Sequence, residues 1–259
     1  KVGSEVRDKH PGQYVVHFGL LGTGAYAEYI VADADRVRVV PDGVSPDAAA
    51  AIPVNYATAY HMLHVLSRPE PGQTVLIHAA AGGVGTALIQ LSKAAGLRTI
   101  GVVGSDDKKA YAESLGADFV INRRTEKVRE RIMEITEGKG VHLSFNPVSG
   151  DTVLQDAECL APFGQIIIFG FLAGTPQGGL EDVVGRHFNK SIAVRVSDIY
   201  TLYLTDYEQL DAILGRLFDL QLKGVIDPKL HAVLPLADAG HAHWQLEQGL
   251  VKGKLILKP

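Results

Sequence analysis

The sequence predicts an α/β protein built on a parallel, doubly wound sheet, and three observations support this prediction. From Gly72 onward, apolar strand patterns alternate five times with helix patterns, which is typical of right-handed βαβ units. The first of these strands, TVLIHA, is continuously apolar, as in strands that helices cover on both faces. A glycine-rich stretch, AAAGGVG, directly follows that strand's apolar run and opens a helix pattern.

A shorter, mainly β pattern precedes this region. Residues 13–18 and 25–31 are predicted as strands that the glycine-containing turn LLGTG connects. A third short strand leads into a helix for which Ser45 is the expected N-cap and Pro46 the first helical residue. The helix pattern continues beyond Pro53, where the missing N–H group is expected to break it.

The elements of the alternating region are predicted in chain order. Strand patterns occupy residues 74–79, 99–103, 119–121, 141–145, 165–170 and 192–196. Helix patterns occupy residues 84–95, 107–115, 126–136 and 151–160. The remaining chain predicts a helix at 206–222, a strand around 231–235, a helix at 237–248 and a strand at 254–258.

Composition excludes several classes of protein. The 259 residues carry 25 Lys and Arg against 29 Asp and Glu, a net charge of −4 that argues against a general nucleic-acid binder. The one cysteine, Cys159, excludes an internal disulfide and a cysteine-rich zinc lobe, and its apolar surroundings predict a buried thiol. The sequence has no apolar run of membrane-spanning length and no signal peptide, so we expect a cytoplasmic protein without membrane contact.

The stretch HAAAGGVG differs from the dinucleotide fingerprint G-x-G-x-x-G at one position, because Ala80 stands at the first glycine. Gly82 and Gly83 would let the backbone approach a pyrophosphate, and Gly85 would let the next helix pack close to the sheet. The N–H groups at the start of that helix would bind the phosphates. We therefore predict a dinucleotide site, with a purely structural turn as the alternative.

The residues at the end of the second strand of the alternating region indicate which dinucleotide the site would bind. An NAD site usually has Asp or Glu there to hold the ribose 2′-hydroxyl, but this strand ends in Gly104-Ser105. The small pair leaves room for a 2′-phosphate, to which Ser105 and Lys108 could donate hydrogen bonds. Arg123, after the third strand, could pair with the same phosphate or stack on adenine. These residues favour NADPH, while Asp106 and Asp107 leave NADH open.

Several segments together are similar to a known family. GAYAEYIVADADRVRVVPDGVSPDAAAAIP, HAAAGGVG and GSDDKKAYAESLGADFVIN resemble the zinc-independent quinone oxidoreductases of the medium-chain dehydrogenase/reductase superfamily, and the likeness runs from Val2 to the final GKLILKP. It implies a Rossmann domain at 55–196 inserted in a GroES-like, mainly β catalytic domain made of 1–54 and 197–259. It also implies that the family's N-terminal portion is absent from this chain.

The resemblance assigns roles to individual residues. The nicotinamide pocket would be lined by Asn55, Thr58, Phe169 and Gly170. The pyrophosphate would be bound by Gly82, Gly83, Val84 and Gly85. The 2′-phosphate would be bound by Ser105 and Lys108. Two departures touch the cofactor site, because Arg123 replaces the usual tyrosine and Asn146-Pro147-Val148-Ser149 replaces the usual D-S-V-G. Val54 stands where zinc-dependent relatives have a cysteine ligand, so no metal is expected.

The function implied is NADPH-dependent hydride transfer to quinones or other conjugated carbonyls. An enoyl-thioester reductase of the same superfamily and a non-catalytic NADPH-binding sensor or scaffold remain open as alternatives. The flat, apolar strand at 192–196 is expected at the edge of the sheet, where exposed strands tend to pair. We therefore expect a homodimer joined there, with a small molecule as the other partner.

Overall fold

The computed structural model of the protein describes residues 1–19, 24–176 and 179–259. The predicted LLGTG turn lies outside the described residues except for Gly24. The chain divides into two compact units: residues 59–198, which we call the sheet unit, and residues 1–58 with 199–259, the second unit. The assignment of 1–54 and 197–259 to a GroES-like catalytic domain stays a prediction. Among the described helices, none has the length and apolar character needed to cross a bilayer.

The secondary structure of the described residues follows most of the predicted pattern. The strands are β1 (Val15–His17), β2 (Val37–Val39), β3 (Thr74–His78), β4 (Arg98–Val103), β5 (Phe119–Asn122), β6 (Val141–Asn146), β7 (Leu160–Ile168), β8 (Ala193–Val196), β9 (Leu230–Pro235) and β10 (Lys254–Lys258). The α-helices are α1 (Pro46–Ala51), α2 (Asn55–Tyr60), α3 (Gly83–Ala94), α4 (Asp106–Ser114), α5 (Val128–Ile135), α6 (Thr152–Cys159), α7 (Gly179–His187), α8 (Ile199–Thr205), α9 (Tyr207–Leu222) and α10 (Ala239–Glu247). A π-helix, His61–Ser67, continues α2.

The sheet unit is built on six strands in the order β5-β4-β3-β6-β7-β8, and all neighbouring pairs are parallel. The chain moves outward from β3 to β5 and then crosses back to start β6 on the other side of β3. This arrangement confirms the predicted doubly wound sheet, and its order reverses between β3 and β6. In such sheets ligands bind at the carboxyl ends of the strands, in the crevice at that reversal.

The core of the sheet unit explains why its strands are recognisable in the sequence. All five residues of β3 are buried, as its continuous apolar run predicts. Side chains of β3 to β7 pack with α5 and α6 in one apolar cluster that includes Cys159. Cys159 is 1% exposed, which confirms the predicted buried thiol, and burial together with the nearby Asp156 charge raises its pKa to about 12.

The second unit contains two small sheets. β1 pairs antiparallel with β2, and β9 pairs parallel with β10. The start of α1 is as predicted, because the Ser45 hydroxyl accepts a hydrogen bond from the Ala48 N–H at 3.2 Å. The helical pattern breaks around Pro53, also as predicted.

One prediction for the second unit is wrong, and one helix of this unit was not predicted. Residues 25–31 form no strand, and Tyr29 and Val31 are 89% and 104% exposed. Their alternating pattern supplies an apolar face, but a strand also needs a ladder partner, and no described segment pairs with this one. Helix α8 is unpredicted, because its β-branched and aromatic residues favour strands, yet Ile199, Leu202 and Tyr203 form a buried face at helical spacing.

Candidate functional site

The predicted glycine loop lies between β3 and α3, beside the reversal of strand order. The strand ends at His78, and α3 begins at Gly83 with Gly82 as its N-cap. Because a glycine N-cap has no side chain, it caps none of the N–H groups of the first helical turn, which belong to Gly83, Val84 and Gly85. These groups and the positive end of the helix dipole form a site suited to an anion.

Gly85 brings α3 into direct contact with the loop backbone. A Cβ atom at this position would lie 2.4 Å from the Ala79 carbonyl oxygen and 2.7 Å from the Ala80 Cα. No side chain fits at these distances, so the close helix packing depends on glycine. The N-terminus of α3 is thereby held directly over the end of β3.

Ala80, the departure from the fingerprint, is accommodated by a second glycine on the neighbouring strand. Ala80 is fully buried, and its N–H donates to the Val102 carbonyl oxygen at 3.1 Å. A Cβ atom at Gly101 would lie 2.9 Å from the Ala80 Cβ, so Gly101 makes room for the alanine methyl group. The left-handed turn is made by Ala79, with φ of 49°. Sequence reasoning missed the role of Gly101, because the two residues meet only through strand pairing.

Three of the predicted residues, Ser105, Lys108 and Arg123, lie against the end of β4 or in the first turn of the helix that follows it. A Cβ atom at Gly104 would lie 3.6 Å from one Arg123 guanidinium nitrogen, so that cation sits against the strand end where an acidic residue is usual in NAD sites. Ser105 is the N-cap residue of α4, and its hydroxyl donates to the Asp107 carboxylate. Lys108 lies half-buried in the first turn of that helix.

Asn122, the last residue of β5, makes hydrogen bonds that hold the residues around the end of β4 in place. Its Nδ2 donates to the Asp106 carboxylate at 2.7 Å, and its Oδ1 accepts the Arg124 N–H at 3.1 Å. Its own N–H donates to Glu126, and this bond, with help from Lys109, holds the pKa of the Glu126 carboxyl below its usual value. Asp106 and Asp107 are thus both engaged in local hydrogen bonds.

The turn after β6 and the end of β7 form the other side of the crevice. The Phe169 N–H donates to the Asn146 carbonyl oxygen at 3.1 Å, and a Cβ atom at Gly170 would lie 2.9 Å from the Pro147 carbonyl oxygen. The Asn146 Oδ1 accepts the N–H groups of Val148 and Ser149, both at 2.9 Å. The turn is therefore stabilised by two N–H groups, although Pro147 has none to give.

A buried polar network that sequence reasoning missed lies beneath both loops. The Asp156 carboxylate on α6 is within 2.8 Å of His78 Nε2 and accepts hydrogen bonds from Ser144 and Asn146, each at 2.7 Å. A sequence signal for it exists, because Asp156 follows Val153 by three residues on the buried face of α6.

The remaining predicted residues lie on α2 in the second unit. Asn55 is the half-buried first residue of the helix, and Thr58 is 7% exposed with its N–H donating to Val54. Their proximity to a nicotinamide stays a prediction. Within residues 1–19, 24–176 and 179–259, no three His, Cys, Asp or Glu side chains are grouped as metal ligands would be.

Comparisons with known proteins give the same assignment as the sequence resemblance. A family model described as zinc-binding dehydrogenase matches residues 83–215. Quinone oxidoreductase from Salmonella typhimurium is 35% identical over 261 residues, which cover 100% of this chain and 79% of that protein. The chain belongs to the quinone oxidoreductase family of the medium-chain dehydrogenase/reductase superfamily. The crystal structure of Escherichia coli quinone oxidoreductase complexed with NADPH superposes with a TM-score of 0.90 at 35% identity, covering 100% of this chain and 79% of that one.

A second group of relatives consists of much larger proteins. A highly reducing polyketide synthase from Gibberella zeae is 36% identical over 262 residues, which cover 99% of this chain and 11% of that protein. The chain thus spans about a tenth of the length of the polyketide synthases it matches. The crystal structure of CurK enoyl reductase superposes with a TM-score of 0.87 at 28% identity, covering 99% of this chain and 75% of that one.

The packing at Gly85 predicts the effect of one added methyl group. Gly85→Ala should lower the free energy of unfolding by about 1–3 kcal/mol, because the Cβ would overlap the Ala79 carbonyl oxygen. Urea unfolding followed by circular dichroism measures the change. Gly185→Ala is the matched control, since nothing lies within 4 Å of the added Cβ in α7. The control should be neutral or stabilising by up to about 1 kcal/mol, and equal losses in both variants would contradict the prediction.

Proposed function

We propose that this chain is an NADPH-dependent oxidoreductase that reduces quinones or other conjugated carbonyls, such as enones, without a metal. The observation that carries the proposal is the position of the Arg123 guanidinium against Gly104, at the same end of the sheet as the glycine loop. A cation beside a residue with no side chain suits a 2′-phosphate, whereas an NAD site would have a carboxylate there.

The residues present fit a bound dinucleotide. The uncapped first turn of α3, at Gly82, Gly83, Val84 and Gly85, would hold the pyrophosphate with backbone N–H groups. Ser105, Lys108 and Arg123 would hold the 2′-phosphate. Phe169 and Gly170, at the end of β7, would line the nicotinamide pocket. We propose the domain boundaries at residues 54 and 197, as the sequence predicts.

The chemistry requires little covalent participation from the protein. The residues of the crevice would orient the nicotinamide ring and exclude water, and the nicotinamide, when bound, would supply the hydride. A quinone or enone spreads the arriving negative charge over its own π-system, so no metal is needed to polarise the carbonyl. This fits Val54 at the position where zinc-dependent relatives have a cysteine ligand. Solvent would then provide the proton.

An enoyl-thioester reductase is the second candidate, and the polyketide synthase relatives favour it. The likeness to CurK enoyl reductase covers 99% of this chain, and an enoyl thioester is also a conjugated carbonyl. On this alternative the chain would act as one domain of a larger polypeptide. Both candidates use the same cofactor site and differ only in the acceptor.

Steady-state turnover separates the candidates. We expect NADPH oxidation with 1,4-benzoquinone as acceptor, unaffected by a zinc chelator and slower with crotonyl-CoA. Faster reduction of the crotonyl thioester would favour the second candidate. NADPH binding without turnover of either acceptor would contradict an enzymatic function and leave the sensor or scaffold.

We also propose a cytoplasmic homodimer joined through β8. The strand lies at the edge of the sheet, and its Val196 side chain is 65% exposed. Light scattering at micromolar concentration should give the mass of two chains. Val196→Lys should shift the mass toward one chain, because charged residues on an edge strand oppose pairing. A wild-type monomer would rule the interface out.

The position of Arg123 predicts cofactor selectivity. Arg123→Ala and Lys108→Ala should each weaken NADPH binding about ten- to a hundredfold, because one charge-assisted hydrogen bond contributes roughly 1.5–3 kcal/mol. NADH binding should stay nearly unchanged, since NADH has no 2′-phosphate. Dissociation constants follow from quenching of protein fluorescence.

Arg124→Ala is the matched control for this experiment. Arg124 is exposed like its neighbour, but it is Arg123 whose guanidinium lies against Gly104. The control should keep the wild-type preference for NADPH. Equal losses for NADPH and NADH in Arg123→Ala would mean that this residue contacts a group common to both, which would remove the main support for NADPH.

A further inference from the structure

The Asp156 carboxylate is the centre of the buried network beneath the crevice. Asp156 is 2% exposed, and His78 is 6% exposed. Oδ1 lies 2.8 Å from His78 Nε2, while Oδ2 accepts hydrogen bonds from the Ser144 hydroxyl and the Asn146 amide, each at 2.7 Å. A buried carboxylate is costly unless hydrogen bonds compensate the lost water, and these three contacts provide that compensation.

The donors of this network come from both sides of the strand reversal. His78 is the last residue of β3, and Asn146 is the last residue of β6. A carboxylate that is ionised only accepts hydrogen bonds, and the His78 tautomer with its proton on Nε2 is the one that complements it at this contact. Asp156 therefore links the ends of β3 and β6 from the helix below them.

Each linked residue is followed at once by a loop of the proposed cofactor site. The chain passes from His78 into the turn at Ala79, whose φ is 49°. The Asn146 Nδ2 is bound by Asp156, while its Oδ1 accepts the Val148 and Ser149 N–H groups at 2.9 Å. The orientation of one amide thus connects the carboxylate to the turn after β6.

We propose that Asp156 is a positioning residue for the dinucleotide site, holding the loop after β3 and the turn after β6 in one relative arrangement through His78 and Asn146. The inference rests on the proposed function as far as the ligand is concerned. Asp156 itself would touch neither the cofactor nor the reacting atoms. Without the carboxylate, both loops sample more conformations, and binding NADPH has to order them.

The isosteric variant Asp156→Asn tests this role. In this variant an amide nitrogen, which donates hydrogen bonds and cannot accept them, replaces one carboxylate oxygen. It faces donor groups, so hydrogen bonds are lost without a change in side-chain volume. We expect NADPH affinity to fall about tenfold. In the ligand-free protein, hydrogen exchange should accelerate at residues 79–85 and 148–150, while β5 keeps its wild-type exchange.

Asp118→Asn is the matched control in the same unit. The Asp118 carboxylate accepts hydrogen bonds from the Thr99 N–H and hydroxyl at 2.7 and 2.9 Å, at the opposite end of the sheet. This variant removes the same charge by the same substitution. It should leave NADPH affinity and the exchange of both loops within twofold of wild type.

The double variant Asn146→Asp with Asp156→Asn provides a rescue. The carboxylate and the amide exchange places, so the amide at 156 donates to the acid at 146, which still accepts the Val148 and Ser149 N–H groups. We expect it to recover most of the lost affinity and slow the exchange of both loops. This comparison stays informative if Asp156→Asn alone does not fold.

Three results would overturn the inference. They are loop exchange within twofold of wild type in Asp156→Asn, equal loop effects in Asp118→Asn, and a folded double variant whose loops exchange faster than those of the wild type. Failure of the wild-type protein to bind NADPH would instead reject the proposed function. The exchange measurements on the ligand-free protein would still decide whether Asp156 positions the loops.

Discussion

The contact of α3 with the loop backbone at Gly85 determines the geometry of the candidate site at the carboxyl ends of the strands. Because a Cβ atom there would lie 2.4 Å from the Ala79 carbonyl oxygen, the helix can approach the end of β3 only with glycine at this position. The approach directs the uncapped N–H groups of α3 toward the crevice where the strand order reverses. The neighbouring strand ends then add the cation at Arg123 on one side and the turn at Asn146 on the other.

Much of the fold could be predicted from the sequence, because the sheet unit obeys local rules. Continuous apolar runs mark strands buried on both faces, and helical spacing marks the connections between them. The strand predicted at 25–31 is wrong, because apolar and polar residues alternate there but no described strand pairs with the segment. The prediction also misses α8, where tertiary burial of one face overrides the strand preference of β-branched and aromatic residues.

The candidate site was predictable only in part, for a similar reason. Glycines and basic residues could be assigned from their positions after strands, but the hydrogen bonds that engage their neighbours depend on pairing between distant segments. Asp106 is a candidate ribose ligand in the sequence, whereas in the structure its carboxylate already accepts a bond from Asn122. Asp156 lies in an otherwise ordinary helix, and its importance comes from three donors on β3 and β6 that no local pattern connects to it.

The contact between Ala80 and Gly101 makes these two positions interdependent during sequence divergence. A glycine at 80 would leave a methyl-sized gap that an alanine at 101 could fill, whereas alanine at both positions brings two methyl groups to 2.9 Å. A lineage can therefore lose the first glycine of the fingerprint only while the adjacent strand keeps its own.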